Sequence, residues 1–241
     1  MKKNVLFLFL TSLSIYASSQ NNVLQLNASS FVFRKLPELS YEHYFKTQNV
    51  AFSLGFGYKL PRNKGSYSST ELTVNGDTNF LNQRNWEGFR ITPELKFYTS
   101  KDIEDKAKGF YFSMFGRYSA YNVQANFNRK VDAFSKQLLL DGEISNLSFG
   151  VSIGTRFIVG SRCTIDVTWL GVGYGTGRAD FTLKSTDSNV NWSSLDADIK
   201  DAEMEFLKSA STKVFPNGIE ASTRNPFSLI LRSSFSIGLY L

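Results

Sequence analysis

Eight charged residues stand where an alternating strand pattern turns them all towards one face. They are three acids and five bases: Glu42, Arg90, Glu94, Lys96, Arg117, Arg156, Asp166 and Arg232. Strand parity points all of them into the interior of a closed sheet, where an isolated charge is very costly. We therefore expect them to pair in a salt-bridge network that fills the interior and fixes the strand register. A narrow or gated ion path through the same charges is the functional alternative.

Two other side chains could carry chemistry. His43 is the only histidine, and a catalytic role would need a serine or an acid beside it. Its neighbours Tyr44 and Phe45 offer no nucleophile, and parity directs His43 outward, so we predict interfacial packing. Cys163 is the only cysteine, which excludes an intrachain disulfide and leaves too few soft ligands for a metal site. The sequence therefore predicts no catalytic residue, no metal and no cofactor.

The glycine-rich run Gly171–Gly177 resembles a phosphate-binding loop only superficially. It lies inside a strand pattern with no helix after it, whereas the phosphate loop needs a strand, a turn and a helix. We interpret these glycines as positions where the sheet bends or where a large residue faces them.

The elements that must position the charges are strands, because apolar and polar residues alternate with a period of two in residues 50–59, 89–97 and 147–157. Runs of about ten residues suit a tilted membrane-spanning strand, and a polar face of Ser, Gly, Thr and single charges suits a packed barrel interior. We predict an all-β fold, an eight-stranded antiparallel transmembrane β-barrel with long extracellular loops. The predicted strands are 22–33, 38–46, 49–59, 87–98, 109–121, 144–158, 163–178 and 226–241.

The predicted connections alternate between long and short, apart from the first. Long loops at 60–86, 122–143 and 179–225 fall on the outer side if the N-terminus lies in the periplasm, as outer-membrane barrels require. The pair Asn75-Gly76 predicts a hairpin within the first of them. Residues 193–212 show a partial helical stripe, which predicts a short extracellular helix on the rim or, less simply, a plug.

Many aromatic residues fall near the ends of the predicted strands, at the height where membrane barrels place their girdles. Packing in the core of a soluble sandwich is the alternative. The predicted girdle consists of Tyr41, Phe45, Tyr58, Trp86, Phe97, Tyr98, Tyr118, Tyr121, Trp169 and Tyr240.

The N-terminus predicts export. Lys2 and Lys3 precede an apolar run, and small residues at 17–19 complete a secretory signal with cleavage before Gln20. The predicted domains are a signal peptide at 1–19 and an outer-membrane barrel at 20–241. Lysine and arginine outnumber aspartate and glutamate by 27 to 21, without a basic run, so nucleic-acid binding is not expected.

Short motifs carry a family resemblance. The segments Leu39–Glu42, Gly88–Tyr98, Gly109–Phe112 and Ser236–Leu241 together resemble those of small Bacteroidetes-type outer-membrane β-barrels of unknown function, similar in plan to the OmpA and OmpX barrels. The resemblance implies an outer-membrane location and this fold, and it implies no enzyme activity. It includes a Pro-Glu pair, Pro93-Glu94, and since proline removes a backbone donor we expect a bulge or kink there.

The preferred function is structural or interactive, through the outer loops of a closed barrel. Expected partners are outer-membrane lipids, lipopolysaccharide and an unidentified extracellular ligand, and the expected state is a monomer. Basic residues of the loops could meet lipid headgroups or glycans: Arg62, Lys64, Arg84, Arg129 and Lys130. The alternatives are a small-solute pore or transporter, a lipid-modifying enzyme acting through His43, and a soluble secreted β-protein.

Overall fold

A computed structural model describes residues 21–45, 49–59, 70–74, 77–101, 107–131, 134–185, 192–193, 210–224 and 229–241. In parts of the longer strands it describes the backbone alone. The elements in chain order are β1 (Asn22–Asn27), α1 (Ala28–Arg34), β2 (Glu38–Phe45), β3 (Val50–Lys59), β4 (Thr70–Val74), β5 (Asp77–Lys101), β6 (Ala107–Val131), β7 (Phe134–Val159), β8 (Cys163–Ser185), β9 (Ser211–Phe215), β10 (Gly218–Arg224) and β11 (Leu229–Tyr240).

The strands form one antiparallel sheet that closes on itself. The ring runs β1, β2, β3, β5, β6, β7, β8 and β11, and it closes where β11 pairs with both β8 and β1. Ile237 of β11, for example, lies opposite Ile165 of β8 and Leu26 of β1. The prediction of an all-β antiparallel fold is confirmed, and the closed ring gives the sheet an inner and an outer face.

The first predicted strand, 22–33, is wrong in its second half, where residues 28–34 form helix α1. The side chain of Asn27 caps this helix by accepting a hydrogen bond from Ser30 N at 2.9 Å. Lys35 ends it in the left-handed region, at φ 51°. Local capping therefore stops β1 after six residues.

The predicted loops 60–86, 122–143 and 179–225 are wrong where they overlap strands. Strands β5, β6, β7 and β8 are 23 to 26 residues long. β9 and β10 form a hairpin, and β10 pairs with the last part of β8. Antiparallel neighbours supply backbone hydrogen bonds whatever the side chains are, so these strands continue beyond their apolar stretches. The predicted hairpin is confirmed by the pairing of Thr73 with Thr78 and of Val74 with Asp77.

Other predictions fall partly outside the described residues. The signal peptide at 1–19 lies there, as does most of the predicted helix at 193–212, whose last two residues belong to β9. No helix in the described ranges is long and apolar enough to cross a lipid bilayer.

The expected bulge at Pro93 is absent. Pro93 lies opposite Leu54 of β3, and the register on that side is unbroken. Towards β6 the pairing stops at Ile91 and resumes in the same register at Glu94. The neighbour across β6 is Gly116, and a β-carbon built there would still lie 3.6 Å from the proline ring. The small neighbour accommodates the ring, so the proline interrupts the pairing with β6 at two residues without shifting the register.

Candidate functional site

The interior of the ring holds a buried ion cluster centred on Arg156, which is 1% exposed. Its guanidinium donates through both terminal nitrogens to Glu42, with Nη2 2.8 Å from Oε2. Nη2 also lies 2.8 Å from Oδ2 of Asp166, and Nε lies 3.2 Å from the same oxygen. Lys96 Nζ completes the cluster, at 3.0 Å from Asp166 and 3.1 Å from Glu42. Four strands are therefore joined through two cations and two carboxylates.

Tyrosines surround this cluster. The hydroxyl of Tyr111 donates to Asp166 Oδ1 at 2.7 Å, and the Lys96 ammonium lies 4.9 Å from the centre of its ring. The Arg156 guanidinium lies 5.0 Å from the ring centre of Tyr98. Tyr44 and Tyr98 pack edge to face below the charges. The aromatic layer lies at the end of the ring where β1 begins and β11 ends.

A second ion pair lies above the first cluster. Arg232 Nη2 is 2.8 Å from Glu94 Oε2, and Ser113 donates to the other oxygen of Glu94 at 2.7 Å. The guanidinium groups of Arg232 and Arg117 lie 5.0 and 5.5 Å from the ring centre of Phe115. The ring of Phe115 thus fills the middle of the interior between two cations.

A third pair stands at the upper end. Arg90 lies 3.8 Å from Glu38 and donates to the hydroxyl of Tyr121 at 3.2 Å. Glu38 also accepts from Ser30 at 3.2 Å, which ties α1 to the interior. The sequence prediction missed Glu38, although it shares the parity of Glu42. Its place at the first residue of a predicted strand concealed it.

The structure brings all eight predicted interior charges together on the inner face and adds Glu38. These nine residues comprise five cations and four carboxylates. Beside these ion pairs lies a polar cavity of about 20 Å³, whose lining extends from Lys96 and Asp166 past Glu94 to Glu38. Its size suits about one water molecule. The arrangement can hold strands in register, and it places paired charges and aromatic rings along the interior.

Glycines on β7 and β8 make room for these rings. A β-carbon on Gly150 would lie 2.6 Å from Cζ of Phe115, and one on Gly173 would lie 3.3 Å from the same atom. Within the glycine run of β8, Gly173 thus lies beside a large interior residue, as interpreted from the sequence, whereas the nearest side-chain atoms at Gly171 and Gly175 are the β-carbons of Ser152 and Ser148.

The outer face of the ring is a continuous apolar band. On every ring strand the outward residues in this band carry no Asp, Glu, Lys or Arg, and most are large aliphatic or aromatic side chains with over a third of their surface exposed. Examples from successive strands are Leu26, Leu39, Leu54, Ile91, Met114, Ile153, Val172 and Leu231. The polarity is inverted relative to a soluble globular domain, since charges are buried and large apolar side chains are exposed.

The ten predicted girdle aromatics divide between the two faces. Those outside are Tyr41, Phe45, Tyr58, Phe97, Tyr118 and Trp169. The inward placement of the other four corrects the prediction. Tyr98 and Tyr240 are buried in the interior, and Trp86 and Tyr121 share the parity of interior residues near the upper end. They contact charged groups there, with Lys59 over the Trp86 ring and Arg90 on Tyr121.

The remaining candidates sit apart from this interior. His43 faces outward, with Nδ1 2.7 Å from Asn22 Oδ1 and its ring edge-on to Phe45 at 4.7 Å. Cys163 is exposed at the start of β8. Within the described ranges, no three His, Cys, Asp or Glu side chains are grouped to hold a metal ion. Arg62 and Lys64 lie outside the described residues, as do the side chains of Arg84, Arg129 and Lys130.

Comparisons with known proteins give a family and nothing more specific. No curated protein and no solved structure matches the chain. A family model described as "Protein of unknown function (DUF3575)" matches residues 5–191. Because that match covers well over half of the 241 residues, the chain belongs to the DUF3575 family, whose function is unknown.

Proposed function

We propose that this protein is an outer-membrane β-barrel that acts as a structural or surface-interaction component of the cell envelope. In this proposal the eight-stranded ring spans the membrane, a cleaved signal peptide directs export, and the extended strands project outside. The observation that carries the proposal is the charge-free apolar band around the closed ring. Exposing so large an apolar surface to water is unfavourable, whereas lipid chains would cover it.

The height of the band supports a membrane. On β3 the outward residues run from Val50 to Tyr58, a rise of roughly 27 Å at about 3.4 Å per residue. A strand tilt of about 40° reduces this to roughly 21 Å, close to the band of about 25 Å in transmembrane barrels. Exposed charges stand beyond both ends of the band, at Lys108 and Arg162 on one side and at Arg178 on the other.

The filled interior favours a structural or interactive role over transport. A solute path along the axis would have to separate Arg156 from two carboxylates and displace the rings of Phe115 and Tyr111. Eight strands leave an interior just wide enough for side chains, and here those side chains fill it. The interior side chains thus stabilise the fold, and the extended part of the sheet is the part that interacts with partners.

The extended side of the sheet rises above only part of the ring. Strands β5 to β8 continue about ten residues past the level of Tyr58 and Tyr118, and the β9–β10 hairpin extends this wall through β8. Strands β1 to β3 end lower, where α1 connects β1 to β2. The projecting wall offers a broad sheet face to an extracellular ligand, consistent with a monomer that binds partners from the cell surface.

The test is migration on SDS gels with and without boiling, after fractionation of the envelope. A closed barrel resists SDS at room temperature, so we expect faster migration of the unboiled protein and recovery in the outer-membrane fraction. N-terminal sequencing of that material is expected to begin at Gln20. Recovery in the soluble fraction without a heat-dependent shift would overturn the proposal.

A second measurement tests the orientation. Protease added to intact cells is expected to cut within the extended region beyond the band and to leave the ring strands protected. Protection of the extended region on intact cells, with cutting only after lysis, would place it on the periplasmic side and remove the surface role.

A further inference from the structure

A cleft of about 510 Å³ lies on the wall of the ring where β10 takes over from β11 as the partner of β8. It is at the upper limit of the apolar band. The described residues that line it are Tyr118, Ser145, Asn146, Leu147, Thr176, Gly177, Arg178 and Arg224.

The strand register arranges the outward residues of the cleft in two rows. In the lower row Tyr118 lies opposite Leu147, which lies opposite Thr176. In the upper row Ser145 lies opposite Arg178, which lies opposite Arg224. An apolar floor therefore stands directly below a pair of guanidinium groups, and Phe149 and Tyr174 continue the floor into the band.

The two arginines are directly opposed on neighbouring strands, an arrangement that destabilises a sheet unless something anionic offsets the charges. Arg178 has such a partner, since its Nε lies 2.6 Å from Asp180 Oδ2. Arg224 makes no ion pair with any residue that the structure describes. The next outward positions above are acidic, Glu143 opposite Asp180, so an added anion is favoured only at the level of the arginines.

We infer that this cleft binds the phosphorylated headgroup of a membrane lipid, with the phosphate between Arg178 and Arg224 and an acyl chain along Leu147 and Tyr118. Guanidinium groups match phosphate oxygens in charge and in paired donor geometry. The apolar floor selects a lipid over free phosphate, because phosphate alone would leave Leu147 and Tyr118 uncovered. This inference rests on the proposed membrane location and adds to it a defined lipid site.

The experiment measures binding of dioctanoyl phosphatidic acid to the purified full-length protein in non-ionic detergent, by native mass spectrometry. The test variant is Arg178→Gln with Arg224→Gln. Its matched control is Lys184→Gln with Lys213→Gln, which removes the same charge from exposed positions of β8 and β9 above the cleft. We expect the arginine variant to bind at least about tenfold more weakly, since charge-assisted hydrogen bonds are lost, and the lysine control to bind as the unaltered protein does.

Two further probes identify the source of the phosphate. Inorganic phosphate lacks the acyl chains, and the choline cation of dioctanoyl phosphatidylcholine offsets its phosphate charge. Both are therefore expected to bind much more weakly than phosphatidic acid. Equal retention of inorganic phosphate, or equal loss of lipid in both variants, would overturn the inference. Heat-dependent migration of each variant checks folding, so a protein that keeps its barrel but binds lipid without Arg178 and Arg224 refutes the site and leaves the proposed function standing.

Discussion

At the scale of single residues, Arg156 is the centre of the interior network because its guanidinium donates four hydrogen bonds to two carboxylates. Replacing Arg156 with Met would leave Glu42 and Asp166 buried with Lys96 as their shared cation. Loss of one partner of a buried ion pair costs about 3–5 kcal/mol. We expect Arg156→Met to lower the free energy of unfolding by that amount, measured by urea titration of the protein refolded in detergent or lipid.

The control is Arg162→Met, since Arg162 is exposed in the turn between β7 and β8. We expect that change to alter stability by less than about 0.5 kcal/mol. Equal effects of the two substitutions would show that the ion cluster contributes nothing specific.

The pair Glu94–Arg232 allows a double-mutant cycle. Either Glu94→Leu or Arg232→Leu alone leaves a buried charge without its main partner, and each is expected to destabilise by about 3 kcal/mol. The double variant removes both charges, so we expect it to be more stable than the sum of the two single effects by about 1–3 kcal/mol. Unfolding midpoints of the four proteins measure the coupling, and strict additivity would show that the two side chains do not depend on each other.

Residue identity and strand parity together predicted the interior charges, because a narrow closed sheet leaves each side chain only two directions. The same parity was not applied to the aromatics, which were assigned by height alone. Tyr98 and Tyr240 were therefore predicted to lie in the girdle, although Tyr98 is on the same face of β5 as Lys96. Tyrosine fits both places, since its ring packs against cations while its hydroxyl pairs with carboxylates.

At the scale of the strand, inner glycines set how closely β7 can pass Phe115. A β-carbon on Gly150 would lie 2.5 Å from the backbone oxygen of Val172 as well as 2.6 Å from Phe115. We expect Gly150→Ala to destabilise the closed sheet by about 1–3 kcal/mol through overpacking, measured as a lower temperature of the heat-dependent gel shift.

Gly116→Ala is the matched control, because a β-carbon there faces outward with its closest neighbour at 3.4 Å. We expect little change from it. Partial recovery of Gly150→Ala by Phe115→Leu would assign the cost to the ring, and no recovery would assign it to the Val172 backbone.

The residues at which strands begin and end depend on capping and backbone pairing, which the periodicity of side chains does not reveal. β1 ends early because Asn27 caps helix α1, with its side chain accepting from Ser30 N. β5 to β8 continued past their apolar stretches because neighbouring backbones paired. The positions of the ring strands were predictable, since each needs one apolar and one small or charged face, while the height of the wall was not.

At the scale of the whole molecule, the chain has its polarity reversed. Charged groups bind one another inside, and an uninterrupted apolar surface faces out on all eight ring strands. In water such a particle would lose the hydrophobic stabilisation that most domains obtain from their interiors. In a bilayer the same surface is solvated by acyl chains, and the closed ring leaves no unpaired strand edge at that depth. The two environments therefore predict opposite responses to a charge placed on the outer face.

Leu54→Arg places that charge near the middle of the band on β3, and Thr99→Arg places it at the lower end of β5. In a membrane the cost depends on depth, about 2–4 kcal/mol at the midplane against 0–1 near the interface. We expect Leu54→Arg to reduce the heat-stable form in outer-membrane fractions strongly and Thr99→Arg to leave it almost unchanged. A soluble sheet would show the reverse, because an exposed arginine at position 54 would relieve an apolar patch. Higher solubility of Leu54→Arg without loss of fold would therefore exclude a lipid-facing band.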